Sequence, residues 1–315
     1  MILQDKQEFK TQVPSKSSID TVRDSTFGGN PEATDSIISR HIIAVETEKE
    51  LVEIVEAEHS RYKSYLTIPL LLLAIRSGKK DLIATTDWSK IDYDASRVLE
   101  REAMVRSAVE TASLTKFIAD SGFNLNINDK KFDSSLSKLM QTRIKSYNHQ
   151  ETKRISTIMS EAKRRQWTDE RIALEIKRGA GLNSIQQKSI LNMQRKMAED
   201  GIPAYKIAEN IDSYIESAKK YRAELTAKWE SQSIVNEATL LVGALYLAST
   251  FGSEKVGKEW SAILDMKTGS SDRAMNGQIV GLNELFVDPL LTYSPLMRPP
   301  LRGNCRCTIE LVLME

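Results

Sequence analysis

The chain has 315 residues, with 44 basic and 43 acidic side chains and a formal net charge of +1. That balance excludes bulk charge as a driver of nucleic-acid or membrane binding and leaves only local clusters to do it. Apolar residues make up 41%, aromatics only 6% and charged residues 28%, a mix that favours long solvated helices around a buried core over a compact β or α/β enzyme. The only two cysteines, Cys305 and Cys307, cannot build a multi-bridge secreted scaffold, so a reducing compartment is the simpler reading. The polar start, Met1 to Glu8, does not read as a signal peptide. The most apolar run, Ile68 to Ile75, is about eight residues where a span needs ~20, so no membrane partner is expected.

Residues 1–33 are polar and broken by Pro14, Gly28, Gly29 and Pro31; they read as a flexible N-terminal arm. Residues 34–130 read as an N-terminal helical region. There Val52, Val55, His59 and Tyr62 recur at helical steps, which makes His59 a packed histidine beside Glu56 and Glu58 rather than a ligand. Pro69 suits the first turn of the Leu-rich helix, and Gly78 with Lys79 and Lys80 reads as its C-terminal cap and dipole partners. A link at Asp87 to Asp92 leads to a second helix from about Tyr93 to Ala119, broken at Gly122 and the Asn-rich run to Asp129. Residues 131–252 read as a helical core. Helices are expected over Ser134 to Tyr147, over Gln150 to Arg165, and from a Thr168 cap with Asp169 and Glu170 in its first turn to Gly179. Asn183 or Ser184 caps the next. Pro203 opens a stripe of Ile207, Ile211, Ile215, Leu225, Trp229, Ile234, Ala238, Leu241 and Leu245, which predicts one helix of about 40 residues, ~60 Å if unbroken, or two stacked ones.

After Gly252 the period changes. Residues 253–315 read as a small β-containing cassette, with short strands at Trp260 to Leu264 and around Gly277 to Gly281. The alternation from Cys305 to Leu313 puts Cys307, Ile309, Leu311 and Leu313 on one face and Thr308 and Glu310 on the other. The expected fold class is mainly α: an elongated helical bundle with long helices and a small C-terminal α+β cassette.

Two stretches together carry a family resemblance. Gly179 to Gln187, followed by Tyr221 to Ala238 with its Arg222-Ala-Glu core and Asn236, is similar to a segment of tailed-phage minor head proteins, the phage Mu F-like head morphogenesis family. The cassette is similar to the end of the same family in Trp260, in Asp265 and Thr268 as Asp-x-x-Thr, in Gly277 to Val280, and in Pro299 to Thr308 with its Cys-Arg-Cys. The resemblance covers roughly residues 130–313. It implies a structural protein of the virion, assembled in the host cytoplasm. Its implied partners are the portal protein and major capsid or scaffold proteins, and its implied role is in head morphogenesis and DNA packaging or ejection.

The departures bear on chemistry. Many relatives carry Cys-x-x-Cys or a His after Asp-x-x-Thr, and a His before Cys-Arg-Cys, a set in which a zinc site is arguable. Here those positions are Gly269 to Asp272 and Arg302 or Gly303. That leaves Cys305, Cys307 and Asp272 as the weak metal candidates, the two cysteines lying too far apart along a strand to chelate comfortably. The expectation is therefore no metal, no cofactor and no catalysis. A Gly-rich phosphate loop, Gly-x-Ser-x-Gly and His-Glu-x-x-His are all missing, and there are three histidines. The alternative is a DNA-processing or metal-dependent enzyme with a degenerate zinc cassette. Residues expected to hold the cassette together are Trp260, Asp265, Thr268, Gly277, Asn304, Cys305, Arg306 and Cys307, with Arg306 paired to Asp265. Lys153, Arg154, Lys163, Arg164, Arg165, Lys219, Lys220 and Arg222 form basic clusters able to touch partners or double-stranded DNA non-specifically. The competing reading is a solvated helix face with pairs such as Glu161 with Arg165.

Overall fold

The computed structural model describes residues 14–27, 35–114, 125–126 and 128–314. The helices are α1 (Lys16–Phe27), α2 (Asp35–Tyr65), α3 (Ile68–Ser77), α4 (Lys79–Thr85), α5 (Asp94–Leu114), α6 (Lys130–Arg165), α7 (Asp169–Arg178), α8 (Ser184–Glu199) and α9 (Ala204–Val242), and a short α10 (Ser270–Met275) lies in the cassette. The strands β1 (Val256–Ser261), β2 (Ile279–Gly281) and β3 (Thr308–Leu313) form one antiparallel sheet in the order β2-β1-β3. The protein is thus mainly α with a small C-terminal α+β cassette, as its composition and period change predict. Within residues 1–33, Lys16–Phe27 form α1 rather than a flexible arm, because Ile19 and Val22 pack with Ile37, Ile38 and the cassette's Ile263. The rest of that stretch lies outside the described residues, as do residues 115–119 of the second predicted helix.

The chain divides into two units. The first comprises residues 1–51, 95–137 and 225–315; the second comprises 52–94 and 138–224. The boundaries fall within α2, α6 and α9 and after the first residue of α5.

The second unit is built around an aromatic cluster. Tyr62 stacks on Trp88 at 3.9 Å, Tyr147 tilts against Trp88 at 4.7 Å, and His59 meets Trp88 edge-on at 5.4 Å. Leu71, Leu82, Ile155, Ile158, Ile172 and Ile176 complete the core. His59 is therefore packed as its spacing predicts. Pro69 sits in the first turn of α3, and the Gly78 N–H, at φ +118°, donates to Ala74 O. Lys79 and Lys80 do not close α3 but open α4. The two helices expected on either side of Asn148 are one, α6. Asn148 stays helical because its amide is used outside the helix: Oδ1 accepts from Trp88 N at 2.7 Å and Nδ2 donates to Asp87 Oδ1 at 2.7 Å. Thr168 caps α7 through the Arg171 N–H, and Asn183 with Gln186 forms a reciprocal capping box on α8.

In the first unit, the second half of α9 is the centre. By length and composition the stretch Ala204–Phe251 is apolar enough to cross a membrane, and half of its most apolar window is buried in the protein. Its buried residues include Gln232, Ser233, Asn236 and Thr239, and Thr239 Oγ1 lies 3.3 Å from Thr111 Oγ1 of α5. Past Val242 the helix takes a π turn at Gly243–Leu247. A β-carbon at Gly243 would stand 2.7 Å from Leu311 Cδ2 and 3.0 Å from Leu282 Cδ1, so glycine is what lets the cassette press onto the helix here.

Candidate functional site

The cassette is held to α9 by polar contacts that end on the Cys-Arg-Cys segment. Gln232 Nε2 donates to Cys307 O at 2.8 Å, Asn236 Nδ2 to the same oxygen at 3.2 Å, and Asn236 Oδ1 accepts from Ile309 N at 2.9 Å. Arg298 Nε pairs with Glu237 Oε2 at 2.8 Å. From α2, the buried Arg40 reaches Glu310 at 3.4 Å. Gln232 and Asn236 were visible in the sequence only as part of the resembling segment. Polar residues at helical spacing on an otherwise apolar stripe are the signal that marks them, since a buried amide must find partners.

Trp260 is fully buried in β1, opposite Ile309 of β3, with Phe286 edge-on at 5.2 Å and Met275, Cys305 and Cys307 around it. The strand starts earlier than its sequence shows, at Val256, and Trp260 lies near its end. Truncating a side chain of this size in such a core costs about 3–5 kcal/mol. Gly277, at φ +77°, turns the chain so that its N–H donates to Trp260 O at 2.8 Å. Beside it, Asn276 Oδ1 accepts from Ala262 N, a role the sequence did not single out. Leu313 is 43% exposed and so leaves the buried face its alternation assigned to it, because it sits at the open end of β3.

Asp265 and Arg306 are brought together. Arg306 Nη2 lies 2.7 Å from both Asp265 oxygens, and Thr268 Oγ1 donates to Oδ1 at 2.9 Å. Partial burial pushes the Asp265 carboxyl up. The bonds from Arg306 and Thr268, the Arg306 charge and the Lys267 N–H outweigh it and hold the group below its ordinary range. This pair lines a cleft of about 360 Å³ with His41, Glu48, Lys228 and Lys267. Asn304, by contrast, is exposed and is not drawn into the cluster.

Cys305, Cys307 and Asp272 converge, which the strand reading did not anticipate. β3 begins only at Thr308, and the irregular path before it turns both sulfurs onto one carboxylate oxygen. Cys305 Sγ is 3.2 Å and Cys307 Sγ 3.4 Å from Asp272 Oδ1. All three residues are buried, and their ligand atoms lie within 4.8 Å of one another. A structural zinc site takes four donors, and this group supplies three. Nearby Gly269 offers no side-chain ligand, and a β-carbon there would overlap the Arg302 guanidinium. That guanidinium donates to Asp272 Oδ2 at 3.1 Å. A cation thus already serves this carboxylate, and the residues present do not fit zinc. The Cys307 thiol is pushed well above its usual range, first by its hydrogen bond with Cys305, then by burial and by the charge of Asp272. A thiol held neutral in this way is a poor nucleophile.

The basic residues separate by burial. Arg154 is fully buried, 2.5 Å from Glu151 Oε1 and bonded to Gln187 Oε1 and Ile176 O. Arg222 is 7% exposed and donates to Gly181 O at 2.9 Å. Both are internal braces of the second unit and are removed from the expected nucleic-acid contacts. Arg164 and Arg165 share Glu161 at 2.6 and 2.5 Å, the pairing that the solvated-face reading requires. Lys153, Lys163 and Lys220 are exposed, while Lys219 is mostly covered and lies 3.4 Å from Glu216.

Residues 170–310 match the family model described as Phage Mu protein F like protein. No curated protein and no solved structure matches the chain.

Proposed function

With residues 170–310 a Mu F-like region, we propose that the chain is a structural minor head protein of a tailed bacteriophage, acting without catalysis in head morphogenesis and in DNA packaging or ejection. Its site of action in this reading is the portal vertex or inner shell of the virion, reached by assembly in the host cytoplasm. Its partners are the portal protein and the major capsid or scaffold proteins. The observation that carries the proposal is the matched span itself, which runs from α7 through the cassette to β3.

Two features of the cassette support a structural role. Its charged side chains are engaged with one another, Asp265 with Arg306 and Asp272 with Arg302 and both thiols, and its backbone at Cys307 and Ile309 is held by Asn236 of α9. A catalytic site needs a nucleophile or base poised against open space, and the buried thiols of Cys305 and Cys307 do not supply one. Packaged DNA would be met through exposed Lys153, Lys163 and Lys220 as weak, salt-sensitive phosphate contacts. The test is location: tagged protein expressed during infection should co-sediment with heads and be retained by immobilised portal protein. If it stays in the soluble fraction and portal retains none of it, the structural reading fails.

A further inference from the structure

Unit two contains a cavity of about 450 Å³ between α2 and α9, lined by Glu56, His59 and Lys63 from the first helix and Glu216, Lys219 and Lys220 from the second. From its position we infer that this cavity binds a phosphate group, held by Lys63, Lys219 and Lys220 over the ring of His59. The inference goes beyond the head-protein reading and does not depend on it.

Three observations carry it. First, the lysines are gathered rather than dispersed. Lys63 and Lys219 stand close enough for the ammonium of one to depress the other: burial first, then the Lys63 charge, holds Lys219 below its ordinary range, with Glu216 opposing. Two ammonium groups forced together in a half-covered recess repel, and an oxyanion between them relieves that repulsion. Second, Glu216 is engaged with Lys219 at 3.4 Å, so of the two lining carboxylates one is already paired, and cations outnumber anions. Third, His59 is 4% exposed, and neither of its ring nitrogens has a hydrogen-bond partner. Buried polar groups are nearly always bonded. A neutral imidazole carries one N–H donor, and a small movement of the covered ring toward the cavity it lines would present that donor to a phosphate oxygen. Burial, then the charges of Arg222, Lys219 and Arg143, keeps this ring neutral, so in the free protein it adds no positive charge of its own.

The phosphate can be a free or terminal monoester or a diester of a nucleic-acid backbone, and the assay separates these. Full-length protein is titrated with inorganic phosphate, with a short 5′-phosphorylated single-stranded oligonucleotide, and with its unphosphorylated counterpart. Affinity is read by calorimetry and the imidazole signals by NMR, His59→Phe assigning one signal among three histidines. Expected is a shift of the His59 signal on binding, and at least tenfold weaker binding in Lys63→Gln and in the exposed Lys220→Gln. Lys206→Gln, elsewhere on α9, should be unchanged. Preference for the phosphorylated strand supports the site as a monoester pocket; equal binding of both strands with the same loss in the lysine variants supports it as a diester pocket. Failure of all three ligands to bind, or binding that Lys63→Gln and Lys220→Gln leave intact, overturns the inference.

Discussion

Arg302 is the charged partner of the buried Asp272, and two unrelated substitutions should reach it by different routes. Asp272 is 3% exposed. Its Oδ1 has only two thiols as partners, which are weak donors, and its Oδ2 has Arg302. Removing the guanidinium in Arg302→Met leaves a buried carboxylate without its charged donor, a loss of about 1.5–3 kcal/mol for a charge-assisted bond. The arginine side chain is 43% exposed, which trims the Coulombic part, so about 2 kcal/mol is the expected cost. Gly269→Ala should arrive at the same place. Its φ of −68° suits alanine, so the backbone is unstrained and what the new methyl disturbs in the folded state is the guanidinium it overlaps, offset in part by the lower entropy of the unfolded chain. Because both substitutions remove one interaction, the double variant should cost about 2 kcal/mol as well, not the sum of the singles. The assay is native-state labelling of Cys305 and Cys307 by a thiol reagent. They are the only cysteines and both are buried, so labelling reports local opening of the cassette. A loss of about 2 kcal/mol makes labelling roughly 30-fold faster in each single and in the double variant. Additive acceleration in the double variant, or wild-type labelling in Arg302→Met, would refute the reasoning.

Asn236→Leu should speed the same labelling by roughly 30-fold or more, since it orphans the buried Ile309 N–H and weakens the hold on Cys307 O, about 2–3 kcal/mol; an unchanged rate would remove α9 as the anchor. His41 is held down to about 4 by burial first and then by the Arg306 charge, Asp265 opposing. The unfolded chain takes up that proton below about pH 6.5 while the folded one waits until about pH 4, so stability falls as pH drops through this window, by about 2 kcal/mol at pH 5. Urea midpoints at pH 7 and pH 5 should show that this excess acid loss is absent in His41→Gln. Lys258, whose Nζ donates to Met297 O at 2.8 Å, is lowered to about 8, chiefly by burial. The folded state therefore releases this proton before the unfolded one, and the group adds about 2 kcal/mol of stability between pH 7 and 9.5; Lys258→Met should lose that alkaline gain, and an identical pH profile would contradict it.

How much could be read in advance follows from the range over which each signal acts. The helices and their caps are local: Thr168, Asn183 and Gly78 satisfy backbone groups within a turn of themselves, and Pro69 sits where an N–H is not needed, so their chemistry is written where it acts. The break expected near Asn148 was misplaced because an asparagine in a helix is unfavourable by local propensity, while the partner that redeems it, the Asp87–Trp88 turn, lies 60 residues away. Arg154 and Arg222 show the same limit for charge. A basic residue in a helix reads as solvated unless its distant partners are known: Glu151 lies within a turn of Arg154, but Gln187, and for Arg222 the Gly181 carbonyl, are 33 and 41 residues distant. Arg306 was expected to pair with Asp265 because it alternates away from the cysteine face, a local signal for a partner that lies 41 residues away. The family resemblance named Cys305, Cys307 and Asp272 together, but the strand reading set the two sulfurs too far apart to share one partner. Alternation from Cys305 to Leu313 is a true period-two signal, but it fixes only which faces are apolar, not where the strand starts. Moving that start to Thr308 frees three residues to curl, and that curl, with glycine at 269 making room for Arg302, converts two apparently inert cysteines into donors to one buried carboxylate. The cassette's chemistry therefore resides in the junction between a strand and the loop before it, the place where sequence periodicity carries least information.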